Sequence, residues 1–264
     1  MNFKDLFIFE MANNHQGSVE HGLAIIQEMG KIVKKYGIKA AVKLQYRDLE
    51  TFIHPDAKND KNAKHIGRFL DTALTKEQFK ILVDGIKSEG LIAVCTPFDE
   101  TSVDLIEEHE IEIIKIASCS ANDWPLLNRI AKSDKPVIAS TVGLDMAMID
   151  NLVTFLRNRN KAFAVLHCVG VYPTPIELFN LNYIQKLKSR YPDISIGYSG
   201  HEQPDNIDVI KLAAAKGAEI FERHVGLPTE NIKLNAYSMN PKQTSNWVSA
   251  YIDTKTYLGS YEKT

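Results

Sequence analysis

Eight short runs of β-branched and aromatic residues alternate with longer segments of 3.6-residue hydrophobic period, and this alternation limits the fold more than any other feature. The apparent strands are Leu6–Ala12, Ala40–Gln45, Leu91–Phe98, Ile111–Ser118, Lys135–Thr141, Ala162–Val169, Asp193–Tyr198 and Glu219–His224. The helical segments are Val19–Tyr36, Lys76–Gly90, Thr101–His109, Pro125–Ser133, Asp145–Arg159, Leu178–Tyr191 and Asn206–Gly217, with Lys242–Tyr257 after the eighth strand. Thr75 and Gln78 have capping-box spacing, and Gly37, Gly90 and Gly217 fall where helix C-caps are expected. Strand–helix alternation implies parallel strands joined by crossover helices. Eight such units predict closure into an α/β fold, a single (β/α)8 TIM barrel. At 264 residues the chain matches the usual length of one barrel, so a single domain over 1–264 is expected. An open doubly wound sheet would more often carry GxGxxG after its first strand, where this chain has Asn13-Asn14-His15-Gln16-Gly17. Residues 46–75 read as one long irregular insertion after the second strand.

Charge and cysteine content narrow the function classes. Lys+Arg is 31 and Asp+Glu is 33, a formal net charge of -2, which argues against a nucleic-acid or anionic-membrane binder. Cys95, Cys119 and Cys168 are too few for a disulfide framework, and none has CxxC spacing. The apolar runs are strand-length, and MNFKDLFIFEMANN lacks the pattern of a signal peptide. A cytoplasmic protein is therefore expected.

Barrel enzymes place their chemistry at the C-terminal ends of the strands. Those ends here carry Glu10; Lys43 and Gln45; Thr96; Lys115 and Ser118; Ser140; His167 and Tyr172; Ser199 and His201; and Glu222, Arg223 and His224. Lysine is rarely buried unpaired. Lys43 and Lys115 sit inside strands, where alternation is expected to point both inward. Either could pair with a structural carboxylate such as Glu10. Two of them, with Arg223 and several hydroxyls at similar depth, point to an anion site. His201 and His224 end neighbouring strands and could share one metal, leaving open positions for water and substrate.

These segments together resemble one family. FEMANNHQG (9–17), AVKLQ (41–45), CTPFDE (95–100), KIAS (115–118), KPVIAST (135–141), HCVGVYPTP (167–175), IGYSGHE (196–202), FERHVG (221–226) and SMNP (238–241) occur in the order seen in the N-acetylneuraminate (sialic acid) synthase family, the phosphoenolpyruvate-condensing barrels. The resemblance implies a transferase of carbohydrate biosynthesis. It would condense phosphoenolpyruvate with an open-chain aldose to a nonulosonic-acid-like 3-deoxy-2-keto sugar acid and release phosphate. It implies that Lys43, Thr96, Lys115, Ser118, Ser140 and Ser199 hold phosphoenolpyruvate, with Lys43 and Lys115 neutralising its charge. His201 and His224 would bind Mn2+ or Mg2+. Glu10 would lie near the sugar as proton handler or hydroxyl orienter, and Gln45 and Tyr172 would line the sugar side. A homodimer is also implied, although the family's dimer uses a C-terminal antifreeze-like domain beyond the barrel, into which this sequence is not expected to extend.

The chain departs from the family pattern in places. After KIAS the family has Gly-Glu and this chain has Cys119-Ser120, which removes a carboxylate. Gly170 replaces an Asn or Ser, and Leu234 or Asn235 stands where the family has an acidic residue. Glu222 is a candidate substitute carboxylate, unless it pairs with Arg223 or faces the helices. Two other readings stay open: a Schiff-base aldolase using Lys43 or Lys115, and a catalytically weakened ligand-binding relative that serves a partner protein.

Overall fold

The structure, a computed structural model, describes residues 2–58 and 65–259. Its elements run β1 (Leu6–Glu10), α1 (Val19–Tyr36), β2 (Lys39–Tyr46), α2 (Leu49–Phe52), α3 (Ile66–Asp71), α4 (Lys76–Ser88), β3 (Ile92–Pro97), α5 (Glu100–Glu108), β4 (Ile113–Ile116), α6 (Trp124–Lys132), β5 (Val137–Ser140), α7 (Met146–Arg157), β6 (Phe163–Cys168), α8 (Asn182–Arg190), β7 (Ser195–Gly200), α9 (Asp208–Ala215), β8 (Ile220–His224) and α10 (Pro241–Leu258). The eight strands are parallel and pair in chain order, and β8 closes on β1. The fold is a (β/α)8 barrel, as the alternation predicts.

Helix ends follow the local chemistry. Ser18 caps α1 by accepting the His21 N–H, and Gly37 closes it in the left-handed conformation (φ 63°). Thr75 and Gln78 form the reciprocal capping box of α4. Most element ends shift by one or two residues from the expected ranges, and two differences are larger. The 46–75 insertion holds α2, α3 and a 3-10 turn at Pro55–Ala57, and its residues 59–64 lie outside the described residues. Helix α8 starts at Asn182 rather than Leu178, because Ile176–Leu178 forms a separate 3-10 turn.

Strand alternation divides the apolar residues between two cores. Phe7, Phe9, Val42, Leu44, Ile114, Ile196 and Phe221 face outward and pack against the helices. Leu6, Ile8, Ala41, Val94, Ile113, Ile138, Leu166 and Ile220 face the lumen and fill its lower half. Each strand thus carries lumen-facing residues at every second position, and on all but β6, which ends in Cys168, the last of these is polar. Among the described residues no helix is long and apolar enough to cross a membrane.

Candidate active site

The lumen-facing parity runs Leu6, Ile8, Glu10 on β1; Ala41, Lys43, Gln45 on β2; Ile113, Lys115 on β4; Ile138, Ser140 on β5; and Ile220, Glu222, His224 on β8. An apolar floor therefore carries a charged layer, closed from water below and open at the strand ends. Lys43 is 4% exposed and Lys115 is 2% exposed, so how each ammonium is compensated decides what the layer can bind.

Lys43 Nζ lies 2.5 Å from Glu10 Oε2 and 2.8 Å from Glu222 Oε1. Lys115 Nζ donates to Ser140 Oγ at 2.6 Å and to the Ile116 carbonyl at 3.2 Å, and stands 4.0 Å from Glu222 Oε1. Ser199 Oγ donates to Glu222 Oε1 at 2.9 Å, while Glu222 Oε2 is buried without a partner. Burial pulls the Lys43 ammonium down to about 8, against the attraction of Glu222. Burial raises the Glu222 carboxyl, but Lys115 and Lys43 outweigh it and hold the group down at about 2. The layer is thus two ammoniums and two carboxylates rather than a bare cationic pocket. Lys115 keeps the freer ammonium.

Several expected site residues converge on this layer. Gln45 Nε2 lies 3.5 Å from Glu10 Oε1, and Thr96 pairs with Gln45 in register on the next strand. Ser118, just past β4, accepts the Val142 N–H at 2.9 Å. One residue moves out of the expected arrangement, and the alternatives for another are decided. Arg223 points away from the lumen, 1% exposed, and is paired with Glu202 at 2.5 Å. Its parity is opposite to that of Glu222 and His224, so it does not belong to the anion site. Glu222 pairs with Lys43 rather than with Arg223, and faces the lumen rather than the helices. Ser120 is buried in the 3-10 turn Ser118–Ser120.

His201 and His224 stand beside the charged layer, with ring centroids 5.5 Å apart. His201 Nδ1–H donates to the Val169 carbonyl at 3.1 Å, which leaves Nε2 with its lone pair. Burial pulls His201 down to about 4 and His224 well below the usual imidazole range. Both are neutral near pH 7, the form that ligates a metal. The donor set therefore fits an open two-histidine site. Among the described residues no group of three or more His, Cys, Asp or Glu gathers at one point. Tyr172 lies with its ring centroid 4.0 Å from that of His201. Tyr237, which the sequence reading did not single out, lies 5.0 Å from His224 and 5.3 Å from Tyr172, completing an aromatic rim. It lies between the eighth strand and the last helix, and no periodicity marks it.

The outer structure holds β1 and β8 together at this end. Asn14 Nδ2 donates to the Val225 carbonyl at 2.7 Å and to Ser238 Oγ at 3.1 Å, and Met239 N–H donates to the His224 carbonyl at 2.9 Å.

Comparison with known proteins matches the NeuB family over residues 31–263. The chain belongs to the NeuB family. A crystal structure assigned to spore coat polysaccharide biosynthesis protein E of Chromobacterium violaceum is 50% identical, superposes with a TM-score of 0.96, and is matched over 98% of this chain and 77% of that one. The N-acetylneuraminic acid synthetase of Leptospira borgpetersenii, solved with citrate, is 28% identical with a TM-score of 0.86, over 100% of this NeuB-family chain and 87% of that one. The N-acetylneuraminate-9-phosphate synthase of Drosophila melanogaster is 32% identical over 231 residues, which are 83% of this chain and 59% of the relative. The family places this chain among sugar-acid synthases, as the sequence resemblance implies.

Proposed function

We propose that this NeuB-family enzyme condenses phosphoenolpyruvate with an open-chain aldose to give a nonulosonic-acid-like 3-deoxy-2-keto acid, with residues 1–264 working as one barrel domain. The observation that carries this is the juxtaposition of Lys43, Lys115 and Ser140 with His201 and His224 at the C-terminal end of the barrel. Lys115, already bonded to Ser140, is best placed to take the substrate's phosphate or carboxylate. An anion arriving there competes with the Glu222 carboxylate for Lys43, and the buried layer makes each fixed charge count for more than it would in water. Ser199, Ser118 and Thr96 add neutral donors. Attack of the enol carbon C3 on the aldehyde carbon forms the new C–C bond. Water then adds at C2, and phosphate leaves. Glu10 and Glu222 are the carboxylates within reach for the water's proton, and Glu222 takes the role that Ser120 cannot fill. Gln45 and Tyr172 face the sugar. His201 and His224 would hold a divalent metal, Mn2+ or Mg2+, which when bound supplies a Lewis acid for the aldehyde oxygen.

Phosphate release from phosphoenolpyruvate with a panel of aldoses and Mn2+ tests the reaction. Aldose-dependent release with a matching mass for the keto acid is the expected result. Absence of release with every aldose tried, while phosphoenolpyruvate still binds, would support the ligand-binding reading instead. The lowered Lys43 ammonium also suits a Schiff-base aldolase. Borohydride with pyruvate decides between them, because a trapped adduct on Lys43 or Lys115 would overturn the condensation.

A further inference from the structure

A cavity of about 530 Å³ opens beside the charged layer, between the end of β2, the segments around α2 and α3, and the N-terminal ends of α4 and α5. Gln45, Arg47, Asn13 and Phe69 are among the residues on its walls. Gln45 belongs to both places. Its Nε2 is 3.5 Å from Glu10 Oε1, and its Oε1 accepts from Arg47 Nη2 at 2.7 Å. The amide is therefore oriented from both sides, and a line of contacts runs from Lys43 through Glu10 and Gln45 to Arg47.

Arg47 is an unusual cation. Its guanidinium carbon lies 3.8 Å from the ring centroid of Phe98, 4.5 Å from that of Phe69 and 5.9 Å from that of Phe52. Aromatic faces favour a cation but leave its in-plane donors unused. The Gln45 amide engages one of those donors, and Nε is buried with no partner. Among the described residues no carboxylate pairs with Arg47. The two acidic residues on the cavity wall are engaged elsewhere. Asp48 accepts from the Glu50 N–H and from Thr51 Oγ1, and Glu50 lies 3.7 Å from Lys58. Asp99 is near enough to attract Arg47 but makes no ion pair with it, and its two oxygens accept from the Asp48 and Ser102 N–H groups. A half-buried guanidinium without a paired carboxylate is costly, and burial pulls Arg47 down to about 10. A planar or tetrahedral oxyanion is the ligand that its remaining in-plane donors match.

We propose that this cavity is the acceptor-side subsite and that Arg47 binds an anionic group, phosphate or carboxylate, carried by the acceptor sugar at the end remote from its aldehyde. The proposal rests on the condensation reading above for the position of the aldehyde, which lies on the Glu10 side of Gln45. Arg47 then sets specificity and takes no part in bond making. A neutral sugar of the same size would leave the guanidinium as unpaired as it is without ligand.

Matched sugars decide it. Aldoses are assayed with phosphoenolpyruvate and Mn2+ as the neutral sugar, the terminal phosphate and the terminal carboxylate. The corresponding alditols, which have no aldehyde, are titrated by calorimetry into the protein with phosphoenolpyruvate present. The anionic alditol is expected to bind at least tenfold tighter than the neutral one, and the phosphate and carboxylate forms show which anion is preferred. R47M should bring that ratio close to one, and R47K should restore part of it. Equal binding of neutral and anionic alditols to the unaltered protein overturns the subsite, whether or not R47M folds. Arg47-dependent anion binding without turnover of any aldose would sustain the subsite and sink the condensation reading. Turnover that is indifferent to the anion would do the reverse.

Discussion

Lys43 and Lys115 are two ammonium groups held almost out of solvent, and they differ in what offsets that burial. Lys43 sits between Glu10 and Glu222, whereas Lys115 has a hydroxyl and a carbonyl and stands 4.0 Å from its nearest carboxylate. Lys43→Met would leave two buried carboxylates facing each other, a loss of about 3–5 kcal/mol. Lys115→Met removes the longer, 4.0 Å pair with Glu222 but leaves both carboxylates bonded to Lys43, and should cost less. Urea unfolding of the two variants checks this, and equal losses would contradict the pairing. A second residue-scale effect concerns His15, which is 3% exposed and accepts the Gly17 N–H. Burial, aided by the charges of His21 and Arg68, lowers it to about 4 from 6.5. The unfolded chain therefore takes up this proton before the folded one does. The contribution of neutral His15 is complete above pH 6.5 and is lost as the pH falls through the window down to about 4, by about 3 kcal/mol in all. His15→Asn, which keeps an acceptor for Gly17, should flatten the fall in stability between pH 7 and pH 4.5. An unchanged slope would exclude His15 as its source.

At the scale of elements, the barrel closes only where neighbouring strands leave room for each other. A Cβ on Gly197 of β7 would lie 2.6 Å from the Ile220 carbonyl oxygen and Cβ of β8, and 2.5 Å from Leu166 Cδ2 of β6. Backbone cannot yield as a side-chain tip can, so Gly197→Ala should destabilise by about 1–3 kcal/mol through overpacking. Thermal unfolding with retained barrel circular dichroism would measure it, and a neutral result would show that β7 and β8 can separate. The β8 strand is held from outside as well. The Arg223–Glu202 pair ties it to the segment after β7, with the Arg223 Nη2 also donating to the Glu202 carbonyl at 2.7 Å. That anchoring fixes the backbone from which Glu222 and His224 project in the opposite direction.

For the molecule as a whole, the apolar lower lumen and the polar upper lumen make one end structural and the other reactive. A ligand that binds only the folded barrel end stabilises the whole fold by mass action. Mn2+ at 100 times its dissociation constant should add about 2.7 kcal/mol and raise Tm. His201→Ala combined with His224→Ala should abolish the rise and the calorimetric Mn2+ binding while leaving the fold intact. A retained rise in the double variant would remove these histidines as ligands.

The sequence by itself determined the fold class, because alternation of strand and helix periods is a local property that each segment declares through its own residues. The eight strands stand where their β-branched runs predict, and α1 and the capping box of α4 fall where their punctuation lies. Much of the candidate site was legible for the same reason, since polar residues at strand ends must face the open end of a barrel. Parity separated Glu222 from Arg223 only once the strand boundaries were exact, as one residue of slip exchanges lumen and helix faces. Tertiary structure alone decided the compensation of charge. Pairing of Lys43 with both Glu10 and Glu222 joins β2 to its two-strand neighbourhood through the closed sheet, and no local pattern encodes a contact between residues 43 and 222. The same holds for the Tyr237 rim and for Arg47 among three phenylalanines, which are brought together by loops whose paths follow from barrel closure rather than from periodicity.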